Sequence, residues 1–349
     1  MKYSEPKVLF LLKKRNLYNN ASTQPNYTTS SGLFNSANFV NSMLSDSGID
    51  SNIVEVVDGN SIDKEVTKYR PTHVILEAIW CPPSKFIELE RLHPNVKWIV
   101  RVHSEVPFLA NEGLAISWIK QYLNYSNVFV SFNSKQTNRE FKRLLKTDKI
   151  VYLPNYYHVN THINIKSTED VCSDIHIGCF GAIRPMKNQL VQAIAAINFA
   201  DSLNKTLYFH INGNRVEQRG ESVLKNLESL FAGTKHHLVN HKWLSHEDFI
   251  KLVQTMDFGM QVSLSETFNI VTADLVNNEI PVVVSSEIPW IFPIFRAKPT
   301  SFNQIYFTLN VAYYSKKLGL HNINKIGLRV YCYISKKLWL NFLNAHAIK

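Results

Sequence analysis

Acidic residues stop early in this chain. Beyond Glu287 there is no aspartate or glutamate, while nine Lys and Arg residues follow, from Arg296 to Lys349, and the sequence carries a formal net charge of +10. Charge excludes a cationic partner for that tail. An anionic membrane surface, a phosphorylated substrate and nucleic acid are compatible with it, as is a solvated basic helix face that only keeps the protein soluble. Cysteine is scarce too: Cys81, Cys172, Cys179 and Cys332 show no C-x-x-C pairing and none of the density of a disulfide scaffold. Reduced thiols and a cytoplasmic location are the expectation, so the sequons at Asn20, Asn26, Asn124 and Asn204 carry no weight. His236, His237, His241 and His246 crowd one region, but their spacing fits no zinc pattern and no Cys stands among them, which argues against a metal. Long apolar runs are missing as well. None approaches the roughly 20 residues of a membrane span, and the start "MKYSEPKVLFLLKKRN" soon breaks into Lys-Lys-Arg, so neither span nor signal peptide is expected. No repeat, low-complexity tract or recognised nucleic-acid motif is present, and nucleic acid is not expected as a partner.

What the sequence has in quantity is alternation. At 349 residues the chain is long for one core, and two domains are expected. Strand-like runs "KVLFLL" (7–12), "NIVEVV" (52–57), "THVILEAI" (72–79), "KWIVRV" (97–102), "NVFVSF" (127–132) and "KIVYL" (149–153) are separated by helical patterns at 33–44, 63–68, 84–92, 114–123 and 135–145. That rhythm belongs to a parallel sheet with crossover helices. A stretch rich in Asn, Thr and Ser follows, and then the rhythm restarts with "IHIGCF" (175–180), "TLYFHI" (206–211), "HLVNH" (237–241), "FGMQVS" (258–263) and "PVVVS" (281–285). Helices are expected from about 187, from about 216, at 246–256 and after 263. The predicted organisation is α/β throughout: a Rossmann-like doubly wound domain at 1–155, a linker at 156–174, a second such domain at 175–320 and a basic amphipathic helix at 321–349. Ligands of such sheets bind beyond the carboxyl ends of the strands, so the cleft between the domains is the expected site.

Three constellations point to chemistry. In "SLSETFNIVTADLVNNEIPVVVS" (263–285), Glu266 precedes a helical stretch and Asp274 is expected two turns into it. Eight helical residues span about 12 Å, roughly the reach of a nucleotide sugar from hexose to ribose. Carboxylates at the two ends would accept hydrogen bonds from sugar hydroxyls. The unsatisfied N–H groups of Phe268, Asn269, Ile270 and Val271, with the helix dipole, would favour a diphosphate between them. The plainer alternative is an N-terminal acid favoured by the dipole and a second acid facing water. In "GCFGAIRPMKNQ" (178–189), Gly181 permits a tight turn, and Arg184 and Lys187 could neutralise a departing diphosphate or merely be solvated ahead of a helix. In the first domain, Ser30, Ser31 and Gly32 form a small-residue loop before the first helix, and His103 stands just past the fourth strand with Glu105 as a rival. A lone histidine is more often structural.

Together these pieces resemble the retaining GT-B glycosyltransferases, in particular the nucleotide-sugar hexosyltransferases with an E-x7-E motif (glycosyl transferases group 1). The 263–285 stretch is similar to the family's donor segment, S-x-x-E-x-F-G-x-x-x-x-E-A-x-x-x-G-x-P-V-V-x-S. The resemblance implies two Rossmann-like domains facing across a cleft and a C-terminal helix crossing back. It implies a hexose-type transfer with retention from a UDP- or GDP-type donor, with no cofactor and no metal. Glu266 would contact the hexose and Asp274 the ribose; Phe268, Asn269 and Ile270 would line the helix N-terminus. Arg184 and Lys187 would form the diphosphate pair, Ser31 and Gly32 the acceptor-side loop, and His103 would stand near the reacting carbon as the second candidate catalytic residue beside Glu266. The sequence departs from the pattern at Asp274, where Glu is usual, and at Asn269 and Glu279, where Gly is usual. A non-Gly residue in a left-handed cap is strained by about 1 kcal/mol. An inactive nucleotide-sugar binder or a sugar-nucleotide epimerase would share the fold.

The acceptor, whether glycan, lipid or protein, carries no readable code. For the tail helix, Ile326, Val330, Ile334, Leu338 and Phe342 are expected to dock internally, opposite Arg329, Lys336 and Lys337. That leaves at most a weak, salt-sensitive attraction to anionic membranes or a phosphorylated acceptor as the expectation, and hence a cytoplasmic protein peripheral to a membrane at most.

Overall fold

The computed structural model describes residues 5–14, 32–160 and 173–346. It divides into two compact units, Met1–His158 with Cys332–Lys349, and Val159–Tyr331.

Unit 1 is built on six parallel strands, β1 (Lys7–Lys13), β2 (Asp50–Val56), β3 (His73–Glu77), β4 (Lys97–Val102), β5 (Val128–Phe132) and β6 (Ile150–Tyr152), in the order β2-β1-β3-β4-β5-β6. All of β3 and the middle of β1 are buried, which is why these segments read as unbroken apolar runs: helices cover both faces of the sheet. The two-residue period of each strand then sorts its side chains. Leu9, Leu11, Val74, Leu76, Trp98 and Val100 join one core, and Val8, Phe10, Ile75 and Ile99 join the other, under α1 (Gly32–Ser45). The helical stripe read from the sequence is the one that packs there, with Ala37, Val40 and Leu44 buried and Leu33 partly so. Helices α2 (Ile62–Tyr69), α3 (Lys85–Leu92), α4 (Val106–Leu109), α5 (Ala115–Tyr122) and α6 (Lys135–Leu145) complete the connections.

Unit 2 repeats the plan with β7 (Asp174–Gly178), β8 (Thr206–Ile211), β9 (His237–Asn240), β10 (Phe258–Gln261), β11 (Val282–Ser285) and β12 (Arg296–Ala297), in the order β12-β11-β10-β7-β8-β9. Its helices are α7 (Gln189–Ser202), α8 (Glu221–Phe231), α9 (His246–Val253), α10 (Ile270–Asn277) and α11 (Phe302–Lys317). Strand order reverses between β1 and β3 in unit 1 and between β7 and β10 in unit 2, and at such switch points the loops diverge and leave room for a ligand.

Several expected boundaries move. Pro185–Lys187 forms a tight 3-10 turn closed by Asn188 at φ 57°, so α7 starts at Gln189. Val216 pairs with Ile183 as an isolated bridge, which delays α8 to Glu221. α10 begins only at Ile270, placing Asp274 little more than one turn in, not two.

The larger correction concerns α12 (Ile323–Ala345), whose residues from Cys332 onward belong to unit 1. Trp339, Phe342 and Leu343 pack into the unit 1 core as expected of a docked helix, but Ile326, Val330 and Ile334 are exposed. The cause is geometric. A row of residues four apart advances about 400° per step and drifts roughly 40° each time, so a row that is inside at Phe342 has turned outward by Ile326. The buried side instead follows Leu328, Cys332, Ser335, Trp339 and Leu343.

Candidate active site

At the switch point of unit 2 the loops after β7 and β10 are tied together. Gly181, at φ 116°, turns the chain out of the strand and donates its N–H to Asn212 Oδ1 at 2.9 Å. The Gln261 side chain, at the end of β10, donates to the Phe180 carbonyl at 2.9 Å, and Asn269 Nδ2 donates to Gln261 Oε1 at 2.9 Å. Gln192 donates to the Lys187 carbonyl and accepts from the Val262 N–H, each at 2.8 Å, and Leu264 N–H donates to Met186 carbonyl at 2.9 Å. The basic loop and the loop before α10 are therefore one hydrogen-bonded body.

Within it Lys187 Nζ pairs directly with Glu266 Oε1, the two side chains being 14% and 10% exposed. Burial alone would raise the Glu266 carboxyl, but the charge and hydrogen bond of Lys187, with smaller help from Arg184 and Ser263, hold it below the usual carboxylate range. Arg184 lies 3.7 Å from Glu217, which also binds Arg215 at 2.7 Å, and Arg215 sits 4.2 Å over the Trp243 ring.

The two positions where the resembled pattern has glycine keep the backbone that glycine would supply. Asn269 has φ 59° and caps α10, its Oδ1 accepting from the Thr272 N–H at 2.8 Å. Glu279 has φ 63°; its carboxylate binds the buried Lys325 at 3.0 Å and its carbonyl oxygen meets His321 Nε2 at 3.0 Å. Side-chain partners offset strain that glycine would have avoided.

The remaining donor-side candidates fall out differently. Asp274 is buried and bound to His246 Nε2 at 2.8 Å; that hydrogen bond raises the His246 pKa, against burial and with the Asp274 charge in support. Phe268 has no exposed surface: its ring packs on Trp290 and Tyr331 and its carbonyl accepts from Trp290 Nε1 at 2.9 Å, so only its backbone reaches the helix start. Ile270 is the first residue of α10 and half-buried.

Unit 1 holds a second cluster at the ends of β3 and β4, where Glu77 and Arg101 are register partners. Both are fully buried, and Arg101 Nη1 donates to Glu77 Oε1 at 3.0 Å. The rest of the guanidinium donates to the carbonyls of Leu153 and Pro154 and to Asn155 Oδ1, at 3.3, 3.2 and 2.7 Å. His103 Nε2 bonds Glu77 Oε2, and His103 Nδ1 faces Asn133 Nδ2 at 3.4 Å. That network assigns the Nε2–H tautomer, with Nδ1 as acceptor. Burial, reinforced by Arg101, keeps the His103 pKa low against the opposing pull of Glu77, while Arg101 and His103 keep Glu77 ionised despite its burial. Ala78, next to Glu77, is held at φ 72° with its N–H on the Arg101 carbonyl at 2.9 Å. Glu105, the rival candidate, accepts from Ser134 Oγ at 2.8 Å instead. Gly32 is an exposed first residue of α1 where an added Cβ would meet nothing within 4 Å, and Ser31 lies outside the described residues.

Sequence reasoning passed over Glu77, Arg101, Asn133 and Asn155. The available signal was a charge of opposite sign inside each of two apolar strand runs, "HVILE" and "KWIVRV". The four clustered histidines go to separate partners: His236 Nδ1 accepts from the Leu207 N–H, His246 binds Asp274, and the ring of His237 packs on Tyr208. His241 ends a row, His176–His210–His241, with N···N distances of 2.9 and 2.8 Å. Among the described residues no group of three or more His, Cys, Asp or Glu is placed to hold a metal ion.

No family model and no curated protein sequence matches the chain. Solved structures do. The N-terminal domain of a Candida albicans trehalose-6-phosphate phosphatase aligns with a TM-score of 0.65 at 11% identity, over 99% of this chain and 98% of that one. A UDP-forming α,α-trehalose-phosphate synthase from Burkholderia xenovorans aligns at 0.60 and 12%, over 82% and 78%. A point mutant of TarM from S. aureus, solved with fondaparinux, α-GlcNAc-glycerol and UDP, aligns at 0.57 and 11%, over 78% and 55%. At such identities the likeness establishes the fold, which is GT-B: two parallel six-stranded α/β units in one chain.

Proposed function

We propose that the chain is a glycosyltransferase that moves a hexose-type sugar from a nucleotide diphosphate sugar to an acceptor with retention of configuration, using no metal. The Lys187–Glu266 pair carries this reading. It lies at the unit 2 switch point, close ahead of α10, and a diphosphate binding there would compete for Lys187 and release Glu266 to accept from sugar hydroxyls. In that reading the anomeric carbon–oxygen bond to the diphosphate breaks, Arg184 and Lys187 take up the charge developing on the leaving group, and the acceptor oxygen bonds the same carbon on the same face as its hydroxyl proton passes to the departing diphosphate. Asp274, held by His246, serves the ribose. UDP is the first donor nucleotide to try, since UDP is bound in the TarM structure and formed by the Burkholderia synthase. The acceptor half belongs to unit 1, with His103 as the side chain held for it by Glu77.

The test is incubation with UDP- and GDP-hexoses, reading nucleotide diphosphate release and the anomer of the product by NMR. Release with retained configuration is expected, and its loss in Glu266→Ala. Inverted product would overturn retention. Nucleotide-sugar binding without release, across hexoses and candidate acceptors, would make the protein a binder instead.

A further inference from the structure

Helix α12 has two unlike faces. Opposite its buried side, Ile323, Ile326, Val330, Tyr333 and Ile334 are 36 to 60% exposed. At 100° per residue these five fall within an arc of about 100°. Leu318 and Leu320 come just before the helix and are exposed too, so seven of the nineteen exposed large apolar side chains among the described residues lie between positions 318 and 334. Single exposed apolar residues mean nothing; a concentration of this kind marks a contact surface.

Charge identifies what it contacts. Arg329 and Lys336 border the apolar arc on one side, and Lys337 stands within it, its ammonium 4.4 Å over the Tyr333 ring. No acidic residue follows Glu287. A second copy of the chain would bring one basic tail against another, so self-association through this face is opposed by charge. A lipid surface with anionic headgroups satisfies both properties, accepting apolar side chains at the acyl boundary and cations at the phosphates.

We propose that this face of α12 docks on an anionic bilayer, with Ile323, Ile326, Val330, Tyr333 and Ile334 entering the headgroup–acyl boundary. The helix lies in the plane of the surface, because no helix among the described residues is long and apolar enough to cross. Contact of this kind resists salt, unlike the purely electrostatic attraction that an inward-facing stripe would have left. It does not depend on the transfer reading.

The test is co-sedimentation of the full chain with phosphatidylcholine vesicles with and without phosphatidylglycerol, at 0.1 and 1 M NaCl. Binding to the anionic vesicles is expected, with a fraction surviving 1 M salt, where the Debye length is about 3 Å. The Ile326→Ser/Val330→Ser/Ile334→Ser variant should lose that fraction, its partition coefficient falling about tenfold or more, at unchanged thermal stability because the side chains are exposed. Lys336→Gln/Lys337→Gln should lose the preference for phosphatidylglycerol. A Tyr333→Trp variant gives a measurement independent of the triple variant's folding: its fluorescence should be quenched by brominated lipid. Absence of binding at 0.1 M salt, a triple variant that sediments like the parent, or an unquenched Trp would each overturn the proposal. A dimer in light scattering that the triple variant abolishes and vesicles do not compete would assign the face to a second copy instead.

Discussion

Both units hold titratable groups in their sheets, but of opposite kinds. Unit 1 buries a charged cluster, Glu77 and Arg101, with every direction of the guanidinium occupied. Unit 2 runs a row of imidazoles, His176, His210 and His241, across its strands and keeps Lys187, Glu266, Arg184 and Glu217 on loops that water still reaches. A charge enclosed by the fold is bound to its partner by the cost of leaving that partner uncompensated. A charge on a switch-point loop can exchange its partner for a ligand. On the proposed function, unit 1 would serve as a rigid histidine mount and unit 2 as the place where a ligand's charge replaces a protein one.

The largest expected effect breaks the unit 1 side. Arg101→Met leaves Glu77 buried without its cation and should lower unfolding free energy by about 3–5 kcal/mol in urea titration. The double variant Glu77→Leu/Arg101→Leu should recover much of that, and a loss equal to or larger than that of the single variant would show that the pair is not what holds the site.

The imidazole row comes next. Burial, then the neighbouring His241 and His176, push His210 down to about 4. The folded pKa lies below the unfolded one, so the unfolded chain takes up protons first. Stability is full above about pH 6.5 and falls as pH drops toward 4, by on the order of 3 kcal/mol. His210→Gln should flatten the melting temperature over that window, and an unchanged slope would place the acid sensitivity elsewhere.

The unit 2 loop should behave oppositely to the unit 1 cluster. Glu266→Ala is expected to reduce turnover about 100-fold, roughly 2.7 kcal/mol in activation free energy, while lowering unfolding free energy by less than Arg101→Met does, because Lys187 keeps some access to water. Lys187→Ala should weaken nucleotide diphosphate binding more than nucleoside binding in calorimetry; equal losses would reduce Lys187 to a support of the fold. The smallest effect is at the cap of α10. Asn269→Gly keeps the positive φ and loses two side-chain hydrogen bonds, the cap to the Thr272 N–H and the bond to Gln261 Oε1, about 2 kcal/mol together, whereas Asn269→Ala should be clearly worse because it loses both bonds and keeps the strain. Equal stability of the two would mean that the backbone there is not strained.

Much of the fold could be read in advance. "KWIVRV" and "TLYFHI" are β4 and β8 to the residue, and the other expected strands shift by no more than three residues at an end. Of the candidate site, one proximity is legible in residue types and spacing: Lys187 and Glu266 stand in separate motifs and meet in one ion pair. Harder to read were residues whose role comes from a neighbour. Asn269 and Glu279 looked like losses of glycine, yet each adopts positive φ with a side-chain partner that no local pattern announces. Glu77 and Arg101 each look like a stray charge in an apolar run until the strands are set side by side.

By itself the sequence determined the elements and their type, because a strand covered on both faces must be a continuous apolar run and a crossover helix must show a 3.6-residue period. Tertiary structure alone decided the pairings. Glu77 reaches Arg101 across 24 residues and Lys187 reaches Glu266 across 79, through strand orders that reverse at β1/β3 and β7/β10. It also decided which side of α12 faces inward. An apolar row four residues apart turns slowly round the helix, and only the packed core beneath Trp339 and Leu343 selects the part of the row that is buried.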